Sequence, residues 1–396
     1  MIGTLPVVDP KWGVRLNGAG NLTVSIPATS REVNGLDIRT STALNQRSFG
    51  IDYGGTVLEC GPILARKYDA KAGRLTVTAT GLWNIFDRRK AILGADLDAD
   101  RVDDVTRSVW TIGPLSLGSI ARELVRESIQ RNPYGLGGLN IVLPPLVGGP
   151  HVKTYRGYDL KWIGDALRDL TKEEGGPDIR FRPRYAGADP SRVEWVLETG
   201  NPLLVQAGAD WTWDGTRPLS GVIGFDTEES GEEMAMRSWI PGQGQEVAML
   251  LGGATNVRLG DHGMPWLEVD TSAKQEERHA VLDGMARQAV ANASGPIETF
   301  SISVRADVFP QLGQYLPGEF ATVVVPENHP TLNAGRQRVR IMALDGTAAQ
   351  EVKITLAPFV GTLEGGNEGA GGTVAPVPNY IYPGGTTYPS SSTYPG

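Results

Sequence analysis

The stretch Ile63-Leu-Ala-Arg-Lys-Tyr-Asp-Ala-Lys-Ala-Gly-Arg-Leu-Thr-Val-Thr-Ala79 reads as two strands and the turn between them. Ile63, Ala65 and Lys67 share one parity, residues 69–73 supply turn chemistry, and Leu75, Val77 and Ala79 share a parity on the return. Upstream, Leu22-Thr-Val-Ser-Ile26 alternates in the same way after the turn-rich Asn17-Gly-Ala-Gly-Asn21, which places Leu22, Val24 and Ile26 on one face. Near the other end, Val339, Ile341, Ala343 and Asp345 repeat the spacing of Ile63, Ala65, Lys67 and Asp69, with an Asp opening the turn each time. Two-stranded ribbons in general share this pattern. The alternative is a pair of related β-barrels at opposite ends of the chain, and the residues alone leave both readings open.

Composition agrees with a β protein. Gly and Pro number 51 and 27 among 396 residues, which favours turns over a helical bundle. Hydrophobic residues at 40% and charged residues at 21% allow a buried core, and the length suits two to four domains. The expected fold class is mainly β with α+β insertions: two β-barrel-like domains plus inserted α+β domains, in a hub-like multidomain chain. Residues 1–92 form the N-terminal β-barrel-like domain, closed by Trp83, Ile85, Phe86 and a charged run. Residues 93–158 are a mixed insertion with an amphipathic helix over 116–131. Residues 159–270 are an α+β and β-rich middle domain. Its helix carries Leu160, Ile163, Leu167 and Leu170 on one face with Asp159 as N-cap, and strands at 179–184 and 193–197 follow. Residues 271–360 combine a helix with a β-barrel-like domain. That helix opens on the capping-box pattern Ser272-Ala-Lys-Gln275 and carries Leu282, Met285, Ala286, Ala289 and Ala293. Residues 361–396 are a Gly/Pro/Tyr-rich extended tail without Lys or Arg, in which Tyr-Pro recurs at 382, 388 and 394. Tyr-Pro units favour polyproline II structure. The tail reads either as a solvated segment or as a strap whose tyrosines dock on a neighbour; the candidate contacts are Tyr380, Tyr382, Tyr388 and Tyr394.

The search for chemistry finds little. Asp96-Leu-Asp98-Ala-Asp100 starts like a calcium loop, but Arg101 stands where glycine is needed and Arg107 where the closing glutamate is needed. Gly18-Ala-Gly20 has Thr23 in place of a third glycine and precedes a strand, so it is no dinucleotide fingerprint. Cys60, the single cysteine, rules out an internal disulfide and reads as a buried thiol at a strand end. The four histidines are far apart, and His262 reads as a turn residue. The pairs Glu173/Glu174 and Glu228/Glu229 read as solvated charge rather than a glycosidase pair. Trp211-Thr-Trp213 could stack on a sugar, although core packing is the plainer reading of the nine tryptophans. No catalytic, cofactor or metal residue is assigned. A net charge of −8 argues against stable nucleic-acid binding. The N-terminus has no signal-peptide order, and the longest uncharged run, 132–152, is too rich in Gly and Pro for membrane insertion. Synthesis in the cytoplasm is expected.

The order of segments resembles the hub, or minor tail, proteins of long-tailed phages of actinobacteria, which are similar to the N-terminal hub region of tail-associated lysins and to central hubs of contractile baseplates. The matching pieces run from Trp12-Gly-Val-Arg-Leu-Asn-Gly-Ala-Gly-Asn-Leu-Thr-Val-Ser-Ile26 through Gly61-Pro-Ile-Leu-Ala65, Gly73-Arg-Leu-Thr-Val-Thr-Ala79 and Gly81-Leu-Trp-Asn-Ile-Phe-Asp-Arg-Arg89. They continue in Ile163-Gly-Asp-Ala-Leu-Arg-Asp-Leu170, Gly175-Gly-Pro-Asp178, Phe309-Pro-Gln-Leu-Gly-Gln-Tyr-Leu-Pro-Gly318 and Arg338-Val-Arg-Ile341. Order and spacing carry the resemblance over about residues 12–358; the segment after 361 has no counterpart. What it implies is a structural virion protein at the tail tip: a homotrimer whose six barrels mate with a six-fold ring. Its implied partners are the distal tail protein, the tape measure protein and other minor tail or receptor-binding proteins, and its acidic wall would let DNA pass. A tail-associated cell-wall hydrolase and a carbohydrate-binding tail protein are the alternatives.

Overall fold

The computed structural model describes residues 3–33, 35–96, 102–131, 135–136, 139–173, 175–187, 189–270, 278–294, 297–358, 380–382 and 386–388. The chain opens with β1 (Val8–Arg15) and β2 (Asn21–Pro27), paired antiparallel with Trp12 opposite Leu22. A one-turn helix α1 (Ile38–Ser41) follows, capped where Thr40 N donates to Asp37 Oδ1 at 3.0 Å. Then come β3 (Ser48–Tyr53), β4 (Thr56–Asp69) and β5 (Arg74–Thr80). Leu22, Val24 and Ile26 are buried, as alternation requires, and Val24 lies opposite Val77. The β4–β5 hairpin forms as read, with Asp69 opposite Arg74 and a bulge between Ile63 and Ala65. However, β4 starts seven residues before Ile63, and the whole run Val57–Ile63 is buried. Cys60 therefore sits inside a strand covered on both faces, not at a strand end.

The next region builds a mixed layer from α2 (Trp83–Phe86), α3 (Val102–Arg107), β6 (Val109–Leu115), α4 (Leu117–Gln130), β7 (Ile141–Val142), β8 (His151–Arg156), α5 (Ile163–Lys172), β9 (Ile179–Ala186) and β10 (Asp189–Thr199). Ser116 caps α4 by accepting from Ser119 N at 3.2 Å, and Ile120, Ala121, Leu124 and Val125 make its buried stripe. The expected cap of α5 differs. Asp159 belongs to a separate 3-10 turn, and Leu160 has a left-handed φ of 44° and is exposed. Ile163 N donates instead to Arg89 O at 2.8 Å, so a backbone carbonyl satisfies that free N–H. These helices share one core with Trp83, Phe86, Phe181 and Trp195. Phe86 stacks on Phe181 at 5.0 Å, and Trp195 Nε1 donates to Cys60 O at 2.9 Å.

The rest of the chain runs β11 (Trp211–Asp214), β12 (Val222–Ser230), β13 (Arg237–Pro241), β14 (Leu251–Thr255), β15 (Glu268–Asp270), α6 (His279–Asn292), β16 (Ile297–Arg305), β17 (Phe320–Val325), β18 (Gly335–Gly346), β19 (Glu351–Pro358), β20 (Tyr380–Tyr382) and β21 (Thr386–Tyr388). The capping-box residues 272–275 lie outside the described residues, and α6 begins after Arg278 with no side-chain cap. Leu282 and Ala286 of α6 pack on Ile240, while Met285 of the expected stripe is exposed.

Eleven strands form one sheet in the order β12-β16-β19-β18-β1-β2-β5-β4-β3, with β17 joining β18 and β11 joining β17. Both long hairpins thus belong to a single sheet, joined through β1 and β2. Among the described residues the ladders close into no ring, so this mainly β, multi-sheet fold is seen as an open sheet where the sequence suggests two barrels. Strand β18 is the branch point. Its first half pairs with β17, with Phe320 opposite Arg340, and its last residues pair with β1, with Trp12 opposite Gly346. A Cβ at Gly346 would lie 2.3 Å from the Trp12 ring, so only glycine admits the indole there. The chain divides into two compact units: Met1–Phe225 with Ser301–Leu356, and Asp226–Phe300 with Ala357–Gly396.

Candidate assembly surfaces and a buried polar seam

Within the larger unit, segments that are remote in sequence meet at a buried polar seam. Asn17, left-handed at φ 56° just after β1, exchanges two bonds with Ile179: its N–H donates to Ile179 O at 3.1 Å, and its Oδ1 accepts from Ile179 N at 2.6 Å. Asp178 sits next door, 2% exposed. It accepts from Leu204 N at 2.7 Å and is ion-paired with Arg340, itself only 7% exposed. The same guanidinium donates to Gly318 O at 3.2 Å. Arg180 pairs with Glu198 at 2.5 Å and donates to Pro317 O at 2.5 Å. The sequence pieces ending at Asp178, Gly318 and Ile341, and the loop after β1, are thereby tied together. Each buried charge has an opposite charge and a hydrogen-bond partner, which is the condition for holding it in a core. The chemistry of the seam is that of a clamp.

A second ionisable group lies in the doubly buried run of β4. Glu59 Oε1 accepts from Cys60 N at 2.9 Å, and a Cβ at Gly20 would fall 1.9 Å from its Oε2. The cradle around this carboxyl is therefore built from glycine. Burial pushes Glu59 up to about 8, against smaller lowering contributions from the Cys60 N–H and Arg15. Burial, followed by the charge of Glu59, also pushes the Cys60 thiol up to about 12, which leaves it an inert structural group. Glu319 is raised by burial too, even though Trp211 Nε1 donates to its Oε2 at 2.7 Å.

The sugar-stacking reading of Trp211 and Trp213 loses its geometry. Both sit on one face of β11, and that face is turned inward. Trp213 is buried edge-on against Tyr315 at 5.1 Å, and Trp211 is half-buried and tied to Glu319. The exposed aromatic nearby is Phe309, 72% exposed and 6.3 Å from Trp211. Asp96 accepts from Ser108 Oγ, and Asp98 and Asp100 lie outside the described residues. Among the described residues no group of three or more His, Cys, Asp or Glu could hold a metal, and no helix is long and apolar enough to cross a membrane.

What remains as candidate function is surface. On the larger unit, Val109, Leu146, Val147 and Val152 are exposed on or next to the β6–β8 ladder. On the smaller unit, a shallow groove is lined by Trp239, Pro241, Met249, Leu251, Glu268, Val269 and Asp270. Of the tail tyrosines, Tyr380, Tyr382 and Tyr388 lie in the antiparallel β20–β21 ladder, with Tyr380 opposite Tyr388, and Tyr394 lies outside the described residues. The ladder replaces the expected polyproline II course at these positions, where Ile381, Thr386 and Thr387 favour a strand. Sequence reasoning assigned no role to Asn17, Glu59, Asp178 or Arg340. The available signal was an ionisable residue inside an apolar strand, as in Val57-Leu-Glu-Cys60 and Val339-Arg-Ile341.

No family model matches this sequence, and no curated protein matches it. Solved structures do. The chain is similar to the 43 kDa tail protein of prophage MuSo2 from Shewanella oneidensis, with a TM-score of 0.55 and 11% identity over 89% of this chain and 94% of that one. It is also similar to the tail protein from Neisseria meningitidis MC58, with a TM-score of 0.51 and 13% identity over 89% and 92% of the two chains. At these identities the likeness is one of fold: the chain has the fold of these two tail proteins.

Proposed function

We propose that this chain is a structural virion protein, a trimeric hub at the tail tip that joins the distal tail ring to the tip and receptor-binding apparatus and surrounds the DNA exit path. The observation that carries the reading is the end-to-end sharing of fold with two proteins described as tail proteins. The single sheet that holds both long hairpins supports it, because three copies would then present six such hairpins to a ring of six-fold symmetry. Closure into barrel-like domains belongs to this proposal, as do contacts with the distal tail protein and the tape measure protein. The role is mechanical. Asp178, Arg180 and Arg340 are spent on holding segments together, and a chain with a net charge of −8 repels rather than traps passing DNA.

Light scattering on the purified protein tests the reading. The expected mass is three times the 42.4 kDa of the chain, with the protein present in purified particles. A strict monomer that is also absent from particles overturns it. A zymogram on host peptidoglycan separates the hub from a hydrolase: the hub leaves no clearing.

A further inference from the structure

The buried carboxyl of Glu59 sits where the turn between β1 and β2 meets the long strand β4. Its Oε1 accepts from Cys60 N at 2.9 Å. Its Oε2 fills the space where a Cβ at Gly20 would stand and lies 3.1 Å from the Cβ position at Gly81. The Gly20 carbonyl accepts from Gly81 N and from Thr80 Oγ1, both at 2.9 Å, so this turn and the end of β5 form one piece against which Glu59 rests. The charge that faces Glu59 is Arg15 of β1, and that guanidinium is already committed. It donates to Val14 O at 3.1 Å, to Leu344 O at 3.2 Å and to Asp345 Oδ1 at 2.6 Å. The other titratable neighbours are the Cys60 thiol on β4 itself and, beyond it, Tyr185 of β9, whose hydroxyl donates to Asp52 of β3 at 3.2 Å. Ile51, opposite Glu59 on β3, brings no charge. Among the described residues an ionised Glu59 would therefore have one backbone donor and a cation held elsewhere, which is too little to keep a carboxylate out of water.

We propose that Glu59 is a proton-operated latch. Protonated, its carboxyl stays in the glycine cradle and keeps the β1–β2 turn and the end of β5 against β4; once it releases its proton to water, the carboxylate leaves the cradle, that contact opens locally and Cys60 is bared. Gly20 and Gly81 give the backbone on the far side of the contact the freedom to move. Acid closes the latch and neutral pH loosens it. The carboxyl is near 8 when closed and returns to the ordinary 4.5 in water, so the open fraction grows about ten-fold per pH unit between these values and levels off above the upper one.

Cys60 reports the opening, because it is the single cysteine, adjoins Glu59 and is buried when the latch is closed. The full-length protein is labelled with a thiol-reactive disulfide from about pH 6 to about pH 9.5, with and without about 1 M urea. At each pH the rate is divided by that of Glu59→Gln, which cancels the titration of the thiol itself. The ratio should rise about ten-fold per unit up to about pH 7.5 and be level above about pH 8.5. About 1 M urea should barely change the rates, as for local opening that exposes little surface. A ratio flat with pH, or a rate that climbs with urea as steeply as global unfolding, would overturn the proposal. If Glu59→Gln does not fold, an unstructured peptide of residues 57–63 serves as the reference, and the same slope is required of the folded protein.

Discussion

In the first long hairpin, β4–β5, Asp69 opens the turn and its Oδ1 accepts from Lys71 N and Ala72 N at 2.9 and 3.0 Å. In the second, β18–β19, Asp345 stands at the same count but reaches across to Arg15 of β1 at 2.6 Å. Going back from the two turns, Lys67 and Ala65 are exposed, whereas Ala343 and Ile341 are fully buried. The cause is the neighbour, not the pattern. Strand β1 lies beside β18 right up to its turn, while the outer half of β4 pairs with β5. Each long strand also has a doubly buried run with one ionisable residue, and the two are handled differently. Arg340 keeps its charge company with Asp178; Glu59 has only a backbone donor and a more distant Arg15, and takes up a proton instead.

The largest test of this contrast exchanges residues at equal counts. Ala343→Lys gives the second hairpin what the first carries as Lys67. It should abolish cooperative folding, or lower stability by at least about 4 kcal/mol in urea unfolding, because an unpaired ammonium would be buried. The reverse change, Lys67→Ala, should stay within about 0.5 kcal/mol; a folded Ala343→Lys protein with an unshifted midpoint would erase the contrast. Next in size, Arg340→Leu leaves Asp178 buried without its counter-charge and should lose about 3–5 kcal/mol. Adding Asp178→Asn, which keeps an acceptor for Leu204 N, should recover part of the loss, measurable as a double-mutant cycle.

Glu59 gives a pH signature of opposite origin. Its folded value, near 8, exceeds the ordinary carboxylate value of 4.5, so over that interval the folded state holds a proton that the unfolded state releases. Stability is full below the unfolded value and falls as pH rises, by about 1.4 kcal/mol per unit, levelling off above the folded value. Glu59→Gln should remove this slope; parallel stability–pH curves for the two proteins would refute the assignment. The smallest effects separate the two turn aspartates. Asp69→Ala should lose about 1 kcal/mol whatever the salt concentration, through the turn's hydrogen bonds. Asp345→Ala should lose about 0.5 kcal/mol, a difference that fades in 1 M salt because its partly exposed ion pair is screened.

The sequence made the half-buried elements legible. The buried faces of β2, β5 and β17 alternate between turn residues, and α4 has its apolar stripe. Legibility failed where alternation disappears. Val57-Leu-Glu-Cys-Gly-Pro-Ile63 is covered on both sides, so its pattern no longer marks a strand or its start. Strands β13, β14 and β15 are three to five residues long, β14 with two glycines, too short to show a period. Asp159 had the right residue type for a cap, but the Arg89 carbonyl took that place. The seam was hidden for a simpler reason: Asp178 lies 161 positions from Asn17 and 162 from Arg340, and no local pattern reports such a meeting. The inward face of Trp211 and Trp213 was set by strand β17, beyond the reach of the motif itself.

The pairing of β1 with β18 also sets a schedule. Arg15 leaves the ribosome 330 residues ahead of Asp345. At about 5–20 residues per second, the first strand waits roughly 15–65 s for its partner. During that interval its outer edge has no ladder to complete, and Trp12 has no Gly346 to lie against. Nascent copies made side by side on one messenger would therefore be most prone to mispair at this edge, and a chaperone that shields residues 8–15 until translation passes 346 would improve yield more than one acting on the finished chain.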